Sequence, residues 1–239
     1  MARELPYVGP PEGGRVFRVS RGFDVFAPLD WSWAQEDGTF GNRFDDPGKY
    51  RGMPEEDRFR MVYCATQRAG AFGETIARFR RSPRLVEGLR TIDDEEPFEP
   101  ELEGGVLPEE WRLGRRLGST RLDEGLVFAD FASAETFQIL TEELAPLLVR
   151  FGLTEFDLSL ITSRRRRVTQ EAARYVYELA CSRQVFAGVR YLSRLNPAWE
   201  LWAVFHDRMV HLPEELSETV REDDPGLEEA ASVLGIDIR

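Results

Sequence analysis

The chain has 239 residues, 42% of them apolar and 31% charged, with 31 basic against 43 acidic side chains and a formal net charge of −12. Its 16 Phe, 5 Trp and 6 Tyr carry more apolar surface than a disordered chain keeps in water, and the length suits one domain, residues 1–239, with a real core. The acidic balance argues against direct nucleic-acid binding, and no apolar run reaches the roughly 18 residues of a membrane span.

In chain order, Arg15 to Arg18 alternates apolar with charged residues and reads as a strand. Residues 27–57, rich in Gly, Pro, Asp and Trp, read as a long loop with turns. Phe59 to Cys64 is a second strand, apolar at 59, 61 and 63, and it runs into a helix over Gln67 to Arg81 whose buried stripe is Ala69, Phe72, Ile76 and Phe79. Glu74 falls on the other face of that helix, beside Gly70, Ala71 and Arg78, where small neighbours leave room for a ligand or another backbone. Residues 93–110 are acidic and rich in Pro and Gly, as expected of a surface excursion or insertion. Leu126 to Phe131 is a strand; Ser133 is placed to cap a helix running through Phe137, Leu140, Leu144 and Leu148, which Pro146 bends or ends. An apolar alternation at Phe156, Leu158 and Leu160 precedes the arginines 164–167 and a helix over Thr169 to Cys181. Strands Val189 to Leu192 and Leu201 to Phe205 flank a loop at 193–199, and the acidic C-terminal tail (LPEELSETV, GLEEAASVLG) reads as helical. The pattern is that of an α+β fold with no internal repeat.

The N-terminus lacks the apolar stretch of a signal peptide, so the expected compartment is the cytoplasm. Cys64 and Cys181, each in an apolar stretch, read as core residues, and with only His206 and His211 in the chain no metal site is expected. Of the 31 basic residues, Lys49 is the one lysine. Arginine grips phosphate and carboxylate through two parallel hydrogen bonds, so the capacity for small anions exceeds what the net charge suggests. The run 164–167 fits a solvated helix start that meets the acidic segment, and it also fits a phosphate or nucleotide contact. Four cations at a helix start oppose the helix dipole, which points to an anionic partner inside or outside the chain.

Three pieces stand out: Gly41-Asn42-Arg43-Phe44-Asp45-Asp46-Pro47 on the loop, Tyr63 followed by Glu74 eleven residues on, and Tyr191-Leu192-Ser193-Arg194 at the end of a late strand. Taken singly, Arg43 also fits a surface or Asp-paired arginine, Glu74 a partner of Arg78 at i,i+4, Tyr63 a core residue, and Ser193 a turn. Taken in order, with VFRV, FGNRFDDP, VYCATQRAGAFGETIARF, VTQEAARYVYE, GVRYLSR and LWAVF, they resemble the RES domain. That family is named for its Arg, Glu and Ser; its members resemble ADP-ribosyltransferases and include toxins that destroy NAD.

The resemblance implies an ADP-ribosyltransferase-like mixed sheet flanked by helices, and an enzyme that takes NAD as substrate without a metal. It implies Arg18 and Arg43 as NAD-binding arginines, Tyr63 as an aromatic contact on the nicotinamide side, Glu74 as the catalytic carboxylate and Ser193 as a further binding residue. Breaking the nicotinamide–ribose bond builds oxocarbenium-like charge on the ribose, which a fixed carboxylate stabilises mainly in the transition state. The acceptor is inorganic phosphate or water, and an arginine near the open face favours phosphate. The resemblance also admits the toxin of a toxin–antitoxin pair, with an antitoxin protein as partner, ADP-ribosyl transfer to a macromolecule, or a catalytically silent interaction domain; an oligomer stays open.

Overall fold

A computed structural model describes residues 4–81, 104–163, 165–179, 185–209 and 216–239. The strands are β1 (Tyr7–Val8), β2 (Arg15–Ser20), β3 (Met61–Ala65), β4 (Val106–Leu107), β5 (Arg116–Arg121), β6 (Phe128–Asp130), β7 (Gly188–Leu192), β8 (Glu200–Phe205), β9 (Leu216–Thr219) and β10 (Asp237–Ile238). The helices are α1 (Arg68–Ile76), α2 (Glu109–Leu113), α3 (Ala134–Glu143), α4 (Ala145–Arg150), α5 (Leu158–Thr162), α6 (Arg166–Glu178) and α7 (Pro225–Leu234). Eight strands form one sheet in the order β1-β6-β7-β8-β3-β2-β5-β9, and β4 and β10 make a small parallel pair. Within the large sheet β6 and β7 are parallel and the other neighbours antiparallel, so the architecture is α+β with a mixed sheet.

The sheet is well knit except at one seam. β3 is in register with β8 over five residues and β2 with β5 over six, but β2 and β3 are matched only at Phe17 and Ala65. Beyond that pair they diverge, and Arg18, Val19 and Ser20 on one strand and Met61, Tyr63 and Cys64 on the other border the cavity that opens between them. The larger core contains Phe44, Phe59, Phe72, Phe131, Phe156, Phe186, Trp199 and Phe205, all buried. A second core around Val16, Val62, Phe128, Trp202 and Val204 reflects the alternation of side chains across β2, β3 and β8.

Most sequence-derived elements are found with shifted ends. The helix from Gln67 is α-helical only to Ile76 and closes as a tight 3-10 turn over Ala77–Phe79. The expected helix with Pro146 is two helices meeting at Leu144, with the proline in the first turn of α4, where it loses no hydrogen bond. Ser133 does precede α3, but its side chain makes no capping bond. The alternation at Phe156, Leu158 and Leu160 belongs to α5, started by Asp157, whose carboxylate accepts the Leu160 N–H.

Two expectations are corrected. The end of the predicted acidic excursion, 104–110, is regular: β4 pairs with the C-terminal β10, and α2 begins at Glu109; residues 93–103 lie outside the described residues. In the tail, α7 fulfils the helical reading, but Leu216–Thr219 is a strand rather than a helix, because pairing with β5 outweighs the local helix preference of its glutamate. β5 itself went unread, since RLGSTR lacks an apolar alternation.

Candidate active site

The divergent seam opens into a cavity of about 830 Å³ lined by Arg18, Arg43, Tyr63 and Glu74, together with Asn42, Arg166, Tyr191 and Arg194. Four of the five residues singled out from the sequence therefore border one space; the fifth, Ser193, is buried behind Glu74.

Arg43 rides on a loop pinned from several sides. Gly41 takes a left-handed φ of 76° that favours glycine. The buried Asp45 carboxylate accepts the backbone N–H groups of Phe40 (2.9 Å) and Asn42 (2.6 Å). The Tyr63 hydroxyl accepts the Phe44 N–H at 3.0 Å and donates to Asp45 at 3.3 Å. Phe44 drops into the core edge-on to Phe131 and Tyr191. From behind, Thr169 donates to the Arg43 carbonyl at 2.5 Å, Gln170 to that of Asn42 at 3.1 Å, and Arg174 pairs with the fully buried Asp46 at 2.9 Å. Arg43 itself is held by the Ser163 carbonyl at 3.1 Å and has no carboxylate partner among the described residues. Burial, and after it the charge of Arg166, pulls its pKa down to about 10.

Arg18 enters from β2. Its Nη1 is buried without a hydrogen-bond partner, and burial lowers its pKa despite the nearby Asp24 carboxylate. A buried, unsatisfied guanidinium nitrogen is costly, and this one borders the cavity, where a ligand can supply its acceptor. Tyr63 differs from its expected part: its hydroxyl is engaged in holding the arginine loop, and burial with the Asp45 charge keeps the phenol neutral. Tyr191, nearly buried, is likewise held neutral by burial and the Glu74 charge.

Glu74 projects from α1 and is exposed to the cavity. Its carboxylate accepts a 2.6 Å hydrogen bond from the Ser193 hydroxyl, whose oxygen in turn accepts the Leu195 N–H at 3.0 Å. The meeting of helix and loop depends on Trp199. Its carbonyl accepts the Ser193 N–H at 2.9 Å, closing the loop after β7, while its ring packs under α1 where only Gly70 and Gly73 leave room. The start of α1 is anchored by Arg68, whose Nε lies 3.0 Å from both carboxylate oxygens of Asp224 and whose Nη2 also reaches Glu218.

Trp33 is a cavity residue to which the sequence reading gave no part; Tyr191 and Arg194, noted there only as flanking Ser193, and Arg166, noted only within the arginine run, also line the cavity. The arginine run was the available signal for Arg166: it starts α6 and lines the cavity, whereas Arg165 donates to the Phe151 carbonyl and Arg167 pairs with Glu171 and lies over Tyr50. Arg164 and residues 93–103 of the acidic segment lie outside the described residues, and with them the expected meeting of the run and that segment.

Six arginines line the cavity (18, 21, 43, 115, 166 and 194) against three carboxylates, Asp24, Asp30 and Glu74. The α+β protein, of net charge −12, thus carries a cleft in which arginines outnumber carboxylates and one carboxylate, Glu74, is held by a serine. The chain belongs to the RES domain family, whose model matches residues 15–223, a family associated with NAD-related toxin function. No curated protein and no solved structure matches the chain. Among the described residues no helix is long and apolar enough to cross a membrane.

Proposed function

We propose that this protein consumes NAD by cleaving its nicotinamide–ribose bond. The observation that carries the reading is the Ser193-held Glu74 carboxylate in a cleft whose arginines outnumber its acids. The pyrophosphate of NAD supplies the anion that Arg18 and Arg43 lack, through forked, charge-assisted hydrogen bonds. Glu74, fixed by Ser193, stabilises the positive charge that grows on the ribose, or holds the ribose hydroxyls, as the C1–N bond lengthens. The C1–N electron pair leaves with the nicotinamide, which departs neutral because the pyridinium nitrogen was cationic. Tyr63 acts mainly by fixing the loop that presents Arg43, and its ring borders the space the nicotinamide leaves.

Arg166 and Arg194 favour phosphate over water as acceptor. Both stand within electrostatic reach of Arg43 and have no ion-pair partner among the described residues, which leaves positive charge beyond what two phosphates neutralise. An oxygen of orthophosphate then bonds to C1, giving a ribosyl 1-phosphate; water in its place gives the free sugar. Transfer to a macromolecule uses the same Glu74, and an antitoxin would act by covering the arginine-lined mouth.

Purified protein incubated with NAD should release free nicotinamide, faster with orthophosphate than without. Glu74→Ala should lower the rate about a hundredfold or more, as removal of transition-state charge stabilisation does. Unchanged NAD after prolonged incubation in both conditions, or an equally active Glu74→Ala, refutes the reading.

A further inference from the structure

Trp33 is 71% exposed and Leu29 46% exposed, and both line the cavity. The other cavity aromatics are committed. Phe40 stacks on Trp31 with centroids 5.3 Å apart, Tyr191 packs edge-on to Phe44, the Tyr63 hydroxyl holds the arginine loop, and Phe17 packs on the core. Trp33 has no aromatic or cationic ring partner among the described residues.

Its backbone is nevertheless fixed. The Asp30 carboxylate accepts the Ser32 N–H at 2.9 Å, and the Asp30 carbonyl accepts the Trp33 N–H at 3.0 Å. The adjacent Trp31 is clamped between Phe40 and the Arg58 guanidinium, 4.5 Å from its ring centroid. Arg60 donates to the Leu29 carbonyl at 3.4 Å. One tryptophan thus anchors the turn, and the other is presented bare at the edge of an electropositive cavity. A large ring held in water on a rigid turn suits a flat, apolar-faced ligand, because little ordering entropy remains to be lost on stacking. The cavity volume of about 830 Å³ lies toward the upper end of small-molecule sites, roughly 300–1,000 Å³, large enough for a dinucleotide.

We infer that Trp33, with Leu29 beside it, is a stacking platform for the purine base of an adenine nucleotide. This rests on the NAD reading for its choice of ligand: Glu74 and Ser193 handle the nicotinamide ribose, Arg18 and Arg43 the phosphates, and Trp33 the far base. It makes Trp33 a determinant of dinucleotide over mononucleotide binding.

The test is calorimetric titration of the full chain with ADP-ribose and, separately, with nicotinamide mononucleotide, which has no purine. Trp33→Ala should weaken ADP-ribose about tenfold or more, the scale of one base–aromatic stack, and leave the mononucleotide within twofold. Trp33→Phe should recover most of the loss. Because the side chain is largely exposed, both variants should keep the wild-type melting temperature; should Trp33→Ala fail to fold, the Trp33→Phe and Leu29→Ala titrations decide. ADP-ribose affinity unaffected by Trp33→Ala, equal weakening of both ligands, or no ADP-ribose binding by the wild type overturns the platform. Wild-type protein that binds ADP-ribose through Trp33 but never releases nicotinamide overturns the catalytic reading alone.

Discussion

Ser193→Ala removes a single hydroxyl from a buried position and leaves Glu74 in place. The lost contact is the 2.6 Å hydrogen bond to the Glu74 carboxylate. Hydrogen bonds to a charged group are worth about 1.5–3 kcal/mol, and Glu74 stands exposed on its helix, so solvent replaces part of the interaction and the lower end applies. About 1.5 kcal/mol of lost positioning corresponds to roughly a tenfold fall in turnover. The effect should fall on kcat and leave KM nearly unchanged, because the serine touches the carboxylate rather than the arginines proposed to hold the phosphates. The assay is nicotinamide release from saturating NAD, with single turnovers for the slow variants, in a cycle of wild type, Ser193→Ala, Glu74→Gln and the double variant. If the serine acts through the carboxylate, its removal from Glu74→Gln costs little more. Costs that add within about 0.5 kcal/mol, the scatter of independent sites, refute the coupling. A modest loss of stability, about 1 kcal/mol, should accompany Ser193→Ala because the Leu195 N–H loses its acceptor.

A Cβ placed on Gly73 would lie 2.1 Å from the Trp199 ring, so Gly73→Ala should destabilise the protein by about 3 kcal/mol, the upper end of overpacking, and reduce turnover by lifting Glu74 from Ser193. Urea unfolding checks the first, and an intact variant with normal turnover refutes the packing account. With the Arg43 pKa near 10, affinity for ADP-ribose should be flat to about pH 9 and fall above 10 as the charge is lost, by up to about tenfold per unit; Arg43→Gln should abolish the break in a titration series. The stability contribution runs the other way. Between about 10 and the ordinary 12.5 the native chain has released a proton that the unfolded chain keeps, so this group's contribution rises with pH across that window.

Much of the scaffold was legible because its elements carry their own periodicity. β3 is a short apolar run ending at a helix start and α1 keeps its apolar stripe, so the Tyr63–Glu74 spacing could be placed on a strand and the following helix. The polar strand β5 was not legible: Ser119 is buried between β2 and β9 and Thr120 against β2, a fact of tertiary pairing. For the same reason the sequence said nothing of the seam between β2 and β3, whose single matched pair opens the cavity. Motifs in order singled out Arg18, Arg43, Tyr63 and Glu74, which line one cavity, and Ser193, which bonds Glu74. The hydroxyl role of Tyr63 was hidden because its partners, Phe44 and Asp45, lie 19 and 18 residues upstream on a loop without periodicity. Trp33 sat in that same loop, where a tryptophan signals a turn or a core residue as readily as a ligand contact.

The orphaned guanidiniums of the cleft have a consequence for the lifetime of the molecule. Without a bound anion, Arg43 sits in a partly dehydrated space beside the charges of Arg166 and Arg194, Arg18 keeps a buried nitrogen without a partner, and the native state bears that cost. Any ligand that supplies the missing charge stabilises the fold by mass action, by about 2.7 kcal/mol at a concentration a hundred times its Kd. A protein of this design is most durable where its anionic ligand is plentiful. On the proposed reading, in which the protein consumes that ligand, its melting point should drift downward as the ligand is exhausted, coupling depletion of the pool to exposure of the chain to proteolysis.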